Sequence, residues 1–366
     1  MLTVHGNIRE KHVRLQHRVD LRSVAADGTV SAIPMTRTST PLALAFASAV
    51  VAACAASSDS ADDQADEIRH RDAGAVDAAS ADAAAPRSDA SVPSSLKGTI
   101  FTIVMENHDY AEVVGSPNAP YINSLIAQYG LATNYLDSGV HPSLPNYLTM
   151  ISGAPQYAGG VDKNPTASPF PVAQPSLGTQ LEAAGITWRS YQESMGAPCR
   201  LAPSGNYAPK HDPFLYFTDM QASSLCAARN VDYSQFAADL ASGQYRYMWI
   251  TPNLLDDGHN PQTSPVTGLK QSDAWASTEI PKILASDAFK NGGVIFLTWD
   301  EAEGRNHDSK EQIPMIVISP TIVRAGFQSS SAYSHKSYLA TVEDILGLPR
   351  LATVTNEPSL AEFFAP

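Results

Sequence analysis

Apolar positions in this chain gather into short β-branched and aromatic runs, separated by segments with helical spacing. Thr99–Met105, Tyr245–Thr251, Val294–Trp299 and Ile313–Ser319 are nearly unbroken apolar runs of strand length, the pattern of strands buried on both faces. Ile186–Tyr191 is a further strand, and Leu131–Tyr135 is a strand or the approach to one. Helical patterns cover Tyr121–Gln128, Ser143–Ile151, Leu177–Ala184 and Ala274–Phe289. A last one follows His335 through Leu339, Val342 and Ile345. Gly153, Gly185 and Gly347 stand just past three of these helices, where a left-handed residue commonly ends one. Ser272-Asp273 read as the start of the helix beginning at Ala274, with Asp273 as a helix cap. Strands alternating with helices predict an α/β sandwich around a largely parallel sheet. Trp188, Trp249, Trp275 and Trp299 are expected in its core.

Before Leu96 this patterning fails. Residues 1–34 are polar, rich in Arg and His, and read as a possibly non-native extension with Met35 as a second candidate start. Residues 35–54 have a short cationic start, an apolar run from Pro41 to Ala53 and small residues before a cut site, the make-up of an export signal. Val51-Ala52-Ala53-Cys54 resembles a bacterial lipobox, which implies cleavage before Cys54 and a lipid anchor on its sulfur, hence membrane contact. A buried apolar helix with an ordinary cysteine is the alternative. Residues 55–96 are Ala, Asp and Ser with almost no large apolar side chain, and cannot bury enough surface to offset ordering. They read as a disordered linker, leaving 97–366 as the folded domain of an exported protein, either a surface lipoprotein or a secreted one.

The net charge of −13 argues against a nucleic-acid backbone as partner. It permits a small anionic substrate, because a bound cation reverses the local field. Three cysteines are too few for a disulfide scaffold. In an exported chain Cys199 and Cys226 would pair, bracing the loop that holds His211 and leaving Cys54 for lipid. Two separate buried thiols are the alternative. Nothing in the pattern indicates an oligomeric state.

Candidate chemistry centres on His141-Pro142-Ser143-Leu144-Pro145-Asn146-Tyr147-Leu148. The two prolines discourage helix before Ser143 and suit its first turn, where free backbone N–H groups favour an anion. Ser143 is then either an N-cap or a nucleophile held beside a phosphate. Asn146 lies three positions on, on the same helix face. Three apolar runs end in hard-oxygen or imidazole groups: Glu106-Asn107, Asp256 to His259, and Asp300-Glu301. Ligand groups gather at strand carboxyl ends in open α/β sheets, and carboxylates collected there would repel until a divalent cation joined them.

These motifs resemble the phosphoesterase family of bacterial and fungal secreted acid phosphatases and non-haemolytic phospholipases C. They are most similar to its mycobacterial-type acid phosphatases acting on phosphatidylinositol 3-phosphate. The resemblance rests on Glu106-Asn107, Pro120 to Leu125, His141 to Tyr147, Gly205-Asn206-Tyr207 with Lys210-His211, and Pro252-Asn253 with Asp257-Gly258-His259. Asp273-Ala274-Trp275, Thr298-Trp299-Asp300-Glu301 and His335 complete it, in family order from Thr99 to Leu348.

The resemblance implies an alkaline-phosphatase-like α/β/α sandwich. It also implies Ser143 as nucleophile and a divalent metal on Glu106, Asn107, Ser143, Asp300 and Glu301. Asp300-Glu301 stands where some members carry two aspartates. His211, His259 and His335 would surround the phosphate, with His259 or His335 protonating the leaving alcohol. Asn107, Asn146 and the helix N-terminus would hold the phosphoryl oxygens, and His141 would either touch the phosphate or fix its loop. One ion or two is left open, since Asp256 or Asp257 with His259 and His335 would make a second site. The implied substrate is a phosphate monoester on a small molecule or phosphoinositide headgroup. The alternatives are a phospholipase C-like phosphodiesterase and a non-catalytic surface protein that binds anionic headgroups.

Overall fold

The computed structural model describes residues 93, 96–157, 159–259, 267–302 and 310–365. The expectations for residues 1–34, the signal at 35–54 with Cys54, and nearly all of the linker at 55–96 lie outside the described residues.

Four of the apolar runs form the middle of the sheet. They are β1 (Ile100–Met105), β6 (Tyr247–Thr251), β7 (Val294–Trp299) and β8 (Met315–Ile318), and every residue in them is buried. Packing on both faces explains why they read as continuous apolar stretches and not as alternating ones. The remaining strands are β2 (Gly130–Ala132), β3 (Tyr135–Leu136), β4 (Trp188–Gln192), β5 (Asn230–Asp232), β9 (Phe327–Ser329) and β10 (Tyr333–Ser334). Eight of the ten make one sheet in the order β5-β4-β6-β1-β7-β8-β2-β9, and β3 pairs with β10. Five neighbouring pairs in the large sheet are parallel; β8 runs antiparallel to both β7 and β2. The sheet is thus largely parallel, as the alternation of elements predicts. β5, β9 and β10 have three residues or fewer, too short to leave a pattern in the sequence.

One helix starts earlier than its sequence signal. It spans Gly268–Ala285 with Thr267 as its N-cap, so Ser272 and Asp273 lie inside it. Asp273 caps a different helix: its carboxylate accepts the Tyr121 and Ile122 backbone N–H groups at 3.2 and 2.8 Å, the first turn of Pro120–Gln128. The Ser143–Ser152 helix is buried along its whole length and ends at Gly153, whose φ of +68° is the left-handed cap that glycine adopts at little cost. All four tryptophans are buried. Cys199 and Cys226 form a disulfide across 27 positions, and the loop it closes carries Lys210, His211 and Asp212.

Candidate active site

β6, β1 and β7 lie side by side and parallel, so their carboxyl ends open onto one edge of the sheet. Met105 pairs with Trp299 in register. Asp300 therefore continues the ladder, its N–H donating to Met105 O at 3.0 Å, while Glu106 N–H turns to the loop after β6 and donates to Asp257 O at 2.8 Å. Asn107 has φ of +50°, a left-handed conformation that asparagine tolerates better than most residues. Its N–H turns to Asp300 Oδ1 at 3.2 Å. These contacts bring the three strand-end groups predicted from sequence together.

Ser143 is the first residue of its helix, and Pro142 takes the capping position. Its hydroxyl makes no cap. Ser143 Oγ lies 3.1 Å from Glu106 Oε2 and 3.2 Å from Glu301 Oε1, and it accepts from Lys210 Nζ at 3.2 Å. Glu106 Oε1 accepts from Tyr147 OH at 2.7 Å and lies 3.0 Å from His211 Nε2. The Tyr147 and His211 rings stack at 5.2 Å. Glu301 Oε2 accepts from Asn146 Nδ2 at 3.2 Å and lies 2.6 Å from His141 Nδ1, whose other nitrogen is 3.4 Å from Asp137 Oδ2.

Several side chains are spent differently from expectation. The Asn146 amide donates to Val140 O and Glu301 and accepts from Ser138 N–H, so it is committed to its loop and to Glu301 and has no hydrogen left for a phosphate. His335 is fully buried, with Nε2 2.6 Å from the Asp300 carbonyl and Nδ1 3.1 Å from Tyr135 OH. A carbonyl only accepts, so Nε2 carries the proton, Nδ1 accepts from the tyrosine, and both nitrogens are engaged within the protein. His141 stands between two carboxylates, the loop-fixing arrangement of its two alternatives. His259 is exposed, and its N–H donates to Asp257 Oδ1 at 3.0 Å. Asp257 Oδ2 is 3.8 Å from His211 Nδ1. Three participants were given no role from sequence. Tyr147, four positions after Ser143 on the same helical face, carried a readable signal. Lys210 sat unassigned beside His211, and Asp162, whose Oδ2 accepts from Lys210 Nζ at 2.7 Å, is on a loop without periodicity and carried none.

The electrostatics are those of charges crowded out of water. Burial alone would raise Glu106, but His211, Lys210 and the Tyr147 hydrogen bond outweigh it and hold Glu106 well below the usual carboxylate range. Burial, then the charge of Glu106, pushes Asp300 and Asp257 well up. Glu301 is raised by burial against the opposing hydrogen bond from His141. Burial lowers His211, and it lowers His335 to about 4. Lys210 is therefore the constant cation facing Glu106.

Among the described residues, Asp300 Oδ2 and Asn107 Oδ1 are buried without a hydrogen-bond partner. Hard oxygens with unspent lone pairs, among mutually repelling carboxylates, fit a divalent cation. Among the described residues no three His, Cys, Asp or Glu side chains form a ready-made cage, so the neutral oxygens of Asn107 and Ser143 would have to complete the set. The concavity lined by Lys97, Arg246 and Asn291 opens at the amino ends of β1, β6 and β7 and holds none of these groups.

A largely parallel sheet with a buried serine and carboxylates at its strand ends defines the class. The fold is that of the alkaline phosphatase superfamily. A superfamily protein from Vibrio parahaemolyticus matches with a TM-score of 0.52 at 13% identity, covering 73% of this chain and 71% of that one. A sulfatase from a Pseudoalteromonas species matches with a TM-score of 0.50 at 11% identity, covering 74% and 72%. More narrowly, the chain belongs to the phosphoesterase family, whose profile matches residues 115–349, and it is a phosphoric ester hydrolase. The phosphatidylinositol-3-phosphatase of Mycobacterium tuberculosis is 30% identical over 267 residues, 72% of this chain and 82% of that protein. An acid phosphatase of Aspergillus fumigatus is 27% identical over 262 residues, 69% of this chain and 55% of that protein.

Proposed function

We propose that this chain is a metal-dependent acid phosphatase that hydrolyses phosphate monoesters through a phosphoserine at Ser143. The observation that carries the reading is the direction of the Ser143 hydroxyl, away from its own helix and into Glu106, Glu301 and Lys210. Glu106, Asn107, Asp300 and Glu301, with Ser143 Oγ, would hold a divalent cation. Such an ion, when bound, lowers the pKa of a serine hydroxyl and offsets phosphate charge.

Within the chain, the Ser143 hydroxyl gives its proton to Glu301 Oε1, 3.2 Å away, Oγ forms the bond to phosphorus as the ester P–O bond breaks in line, and the departing alcohol takes a proton. With both nitrogens of His335 engaged, His259 is the imidazole that gives it. Water then attacks the phosphoserine, releasing phosphate and restoring the hydroxyl. Tyr147 and His211 orient Glu106, His141 and Asn146 orient Glu301, and His335 fixes the Asp300 backbone. The printed names of the relatives support both a phosphomonoester and a phosphatidylinositol phosphate as substrate. We read residues 35–54 as a lipoprotein export signal that leaves a lipid on Cys54 and the body outside the cytoplasm. Loss of lipid labelling in Cys54→Ser tests that.

The decisive measurement is turnover of p-nitrophenyl phosphate by Ser143→Ala. It should fall on the order of 10³-fold or more, because the covalent route is removed. Near-normal turnover would sink the assignment. Parallel assays on phosphatidylinositol 3-phosphate and p-nitrophenyl phosphorylcholine should favour the monoester; preference for the diester would indicate a phospholipase C-like enzyme instead.

A further inference from the structure

The Ser143 helix has ten residues, and its first turn already holds an anion. That anion is the carboxylate of Asp162. Its Oδ1 accepts the Leu144 N–H at 3.1 Å, and its Oδ2 accepts from Lys210 Nζ at 2.7 Å. The same Nζ donates to Ser143 Oγ at 3.2 Å. One planar carboxylate thus bridges a helix N-terminal N–H and an ammonium group, both beside the hydroxyl read above as the nucleophile.

A phosphoryl group attacked by Ser143 must bring its phosphorus next to Oγ. Its non-bridging oxygens then need donors near Oγ but outside the carboxylate cluster. The Leu144 N–H and Lys210 Nζ are such donors, and Asp162 occupies both. The carboxylate–lysine pair is at the mouth of the site, with side chains 28% and 24% exposed. Ion pairs in such positions are weak, so a phosphate dianion can displace the carboxylate at small cost.

We propose that Asp162 is an internal stand-in for the phosphoryl oxygens of the substrate. It keeps Lys210 and the helix N-terminus aligned while the site is empty and yields both when a phosphate monoester or inorganic phosphate enters. Lys210 then becomes a catalytic residue, neutralising the transferring group, and Asp162 is a competitor that substrate displaces. The inference rests on the reading of Ser143 as the nucleophile.

Calorimetric binding of inorganic phosphate tests it in the full-length chain with divalent metal present, on a Ser143→Ala background where covalent transfer is removed. Adding Asp162→Asn should tighten phosphate binding about two- to fivefold, the worth of an exposed ion pair no longer to be broken. Adding Lys210→Met should weaken it on the order of 10- to 100-fold, as expected for loss of a charged hydrogen bond, with partial recovery in Lys210→Arg. Asp162→Ser gives a second removal of the carboxylate should the asparagine variant fold poorly by circular dichroism. Unchanged or weaker phosphate binding without the carboxylate overturns the proposal, because Asp162 would then be a fixed support for Lys210. Failure of the Ser143 reading shows separately, as turnover that survives Ser143→Ala with Asp162 and Lys210 intact.

Discussion

Ser143 divides its work between backbone and side chain: the backbone begins a helix while the hydroxyl faces carboxylates. Residue type and position narrowed it to an N-cap or a nucleophile, and the carboxylates at the strand ends with the family resemblance favoured the second. What position could not give is how each polar atom is spent. Asn146 shares the Ser143 face, yet its amide closes the loop at Ser138 and Val140 and reaches Glu301. His335 ends up against a backbone carbonyl. Both outcomes depend on groups far away in sequence, which no local spacing encodes. Asp212 gives a testable residue-level consequence. It is buried, accepts hydrogen bonds from Ser190 at 3.0 Å and from the Phe214 backbone, and burial outweighs both to raise its pKa to about 7. Its folded pKa is above its unfolded one, so its contribution to stability is fully present below about pH 4 and is lost as pH rises through about 7. Asp212→Asn should therefore flatten the fall in stability between those limits and leave the variant more stable than the parent above pH 7. Urea melts at pH 4, 6 and 8 check this; parallel curves at all three would refute it.

At the level of elements, apolar runs and their terminal glycines were legible because burial on two faces and left-handed caps leave strong marks. The short strands β5, β9 and β10 left none. The cap signal at Asp273 was genuine, but its helix was identified wrongly: the carboxylate serves residues more than 140 positions earlier, a pairing made only by packing. The Cys199–Cys226 bridge encloses the segment that brings Lys210 and His211 to the site. Loop-closure entropy for its 27-residue separation is worth about 3–4 kcal/mol. Replacing both cysteines by serine should lower unfolding free energy by that order and reduce kcat/KM, since the enclosed segment carries site residues. Equal stability and activity in the double variant would show that packing alone holds the loop.

For the whole molecule, the sheet order sets the site: three neighbouring parallel strands deliver Glu106-Asn107, Asp257 and Asp300-Glu301 to one edge. That convergence was readable as a rule of open α/β sheets, whereas the reversed β8 was not. Gathering buried carboxylates costs stability, and a cation that binds only the folded chain returns it. Divalent metal at a hundred times its Kd should stabilise by roughly 2.7 kcal/mol and raise Tm by about 5 °C. Chelation should reverse both the Tm shift and phosphatase activity. An unchanged Tm with each of Mg²⁺, Mn²⁺, Ca²⁺ and Zn²⁺ would remove the metal from the proposal. The bonds made by the peptide N–H groups of Glu106 and Asp300 carry one more consequence. These residues directly follow β1 and β7, neighbouring strands at the middle of the sheet. Their amide protons should exchange with solvent more slowly than those of the edge strands, so the carboxylates beside Ser143 are held where local fraying reaches least.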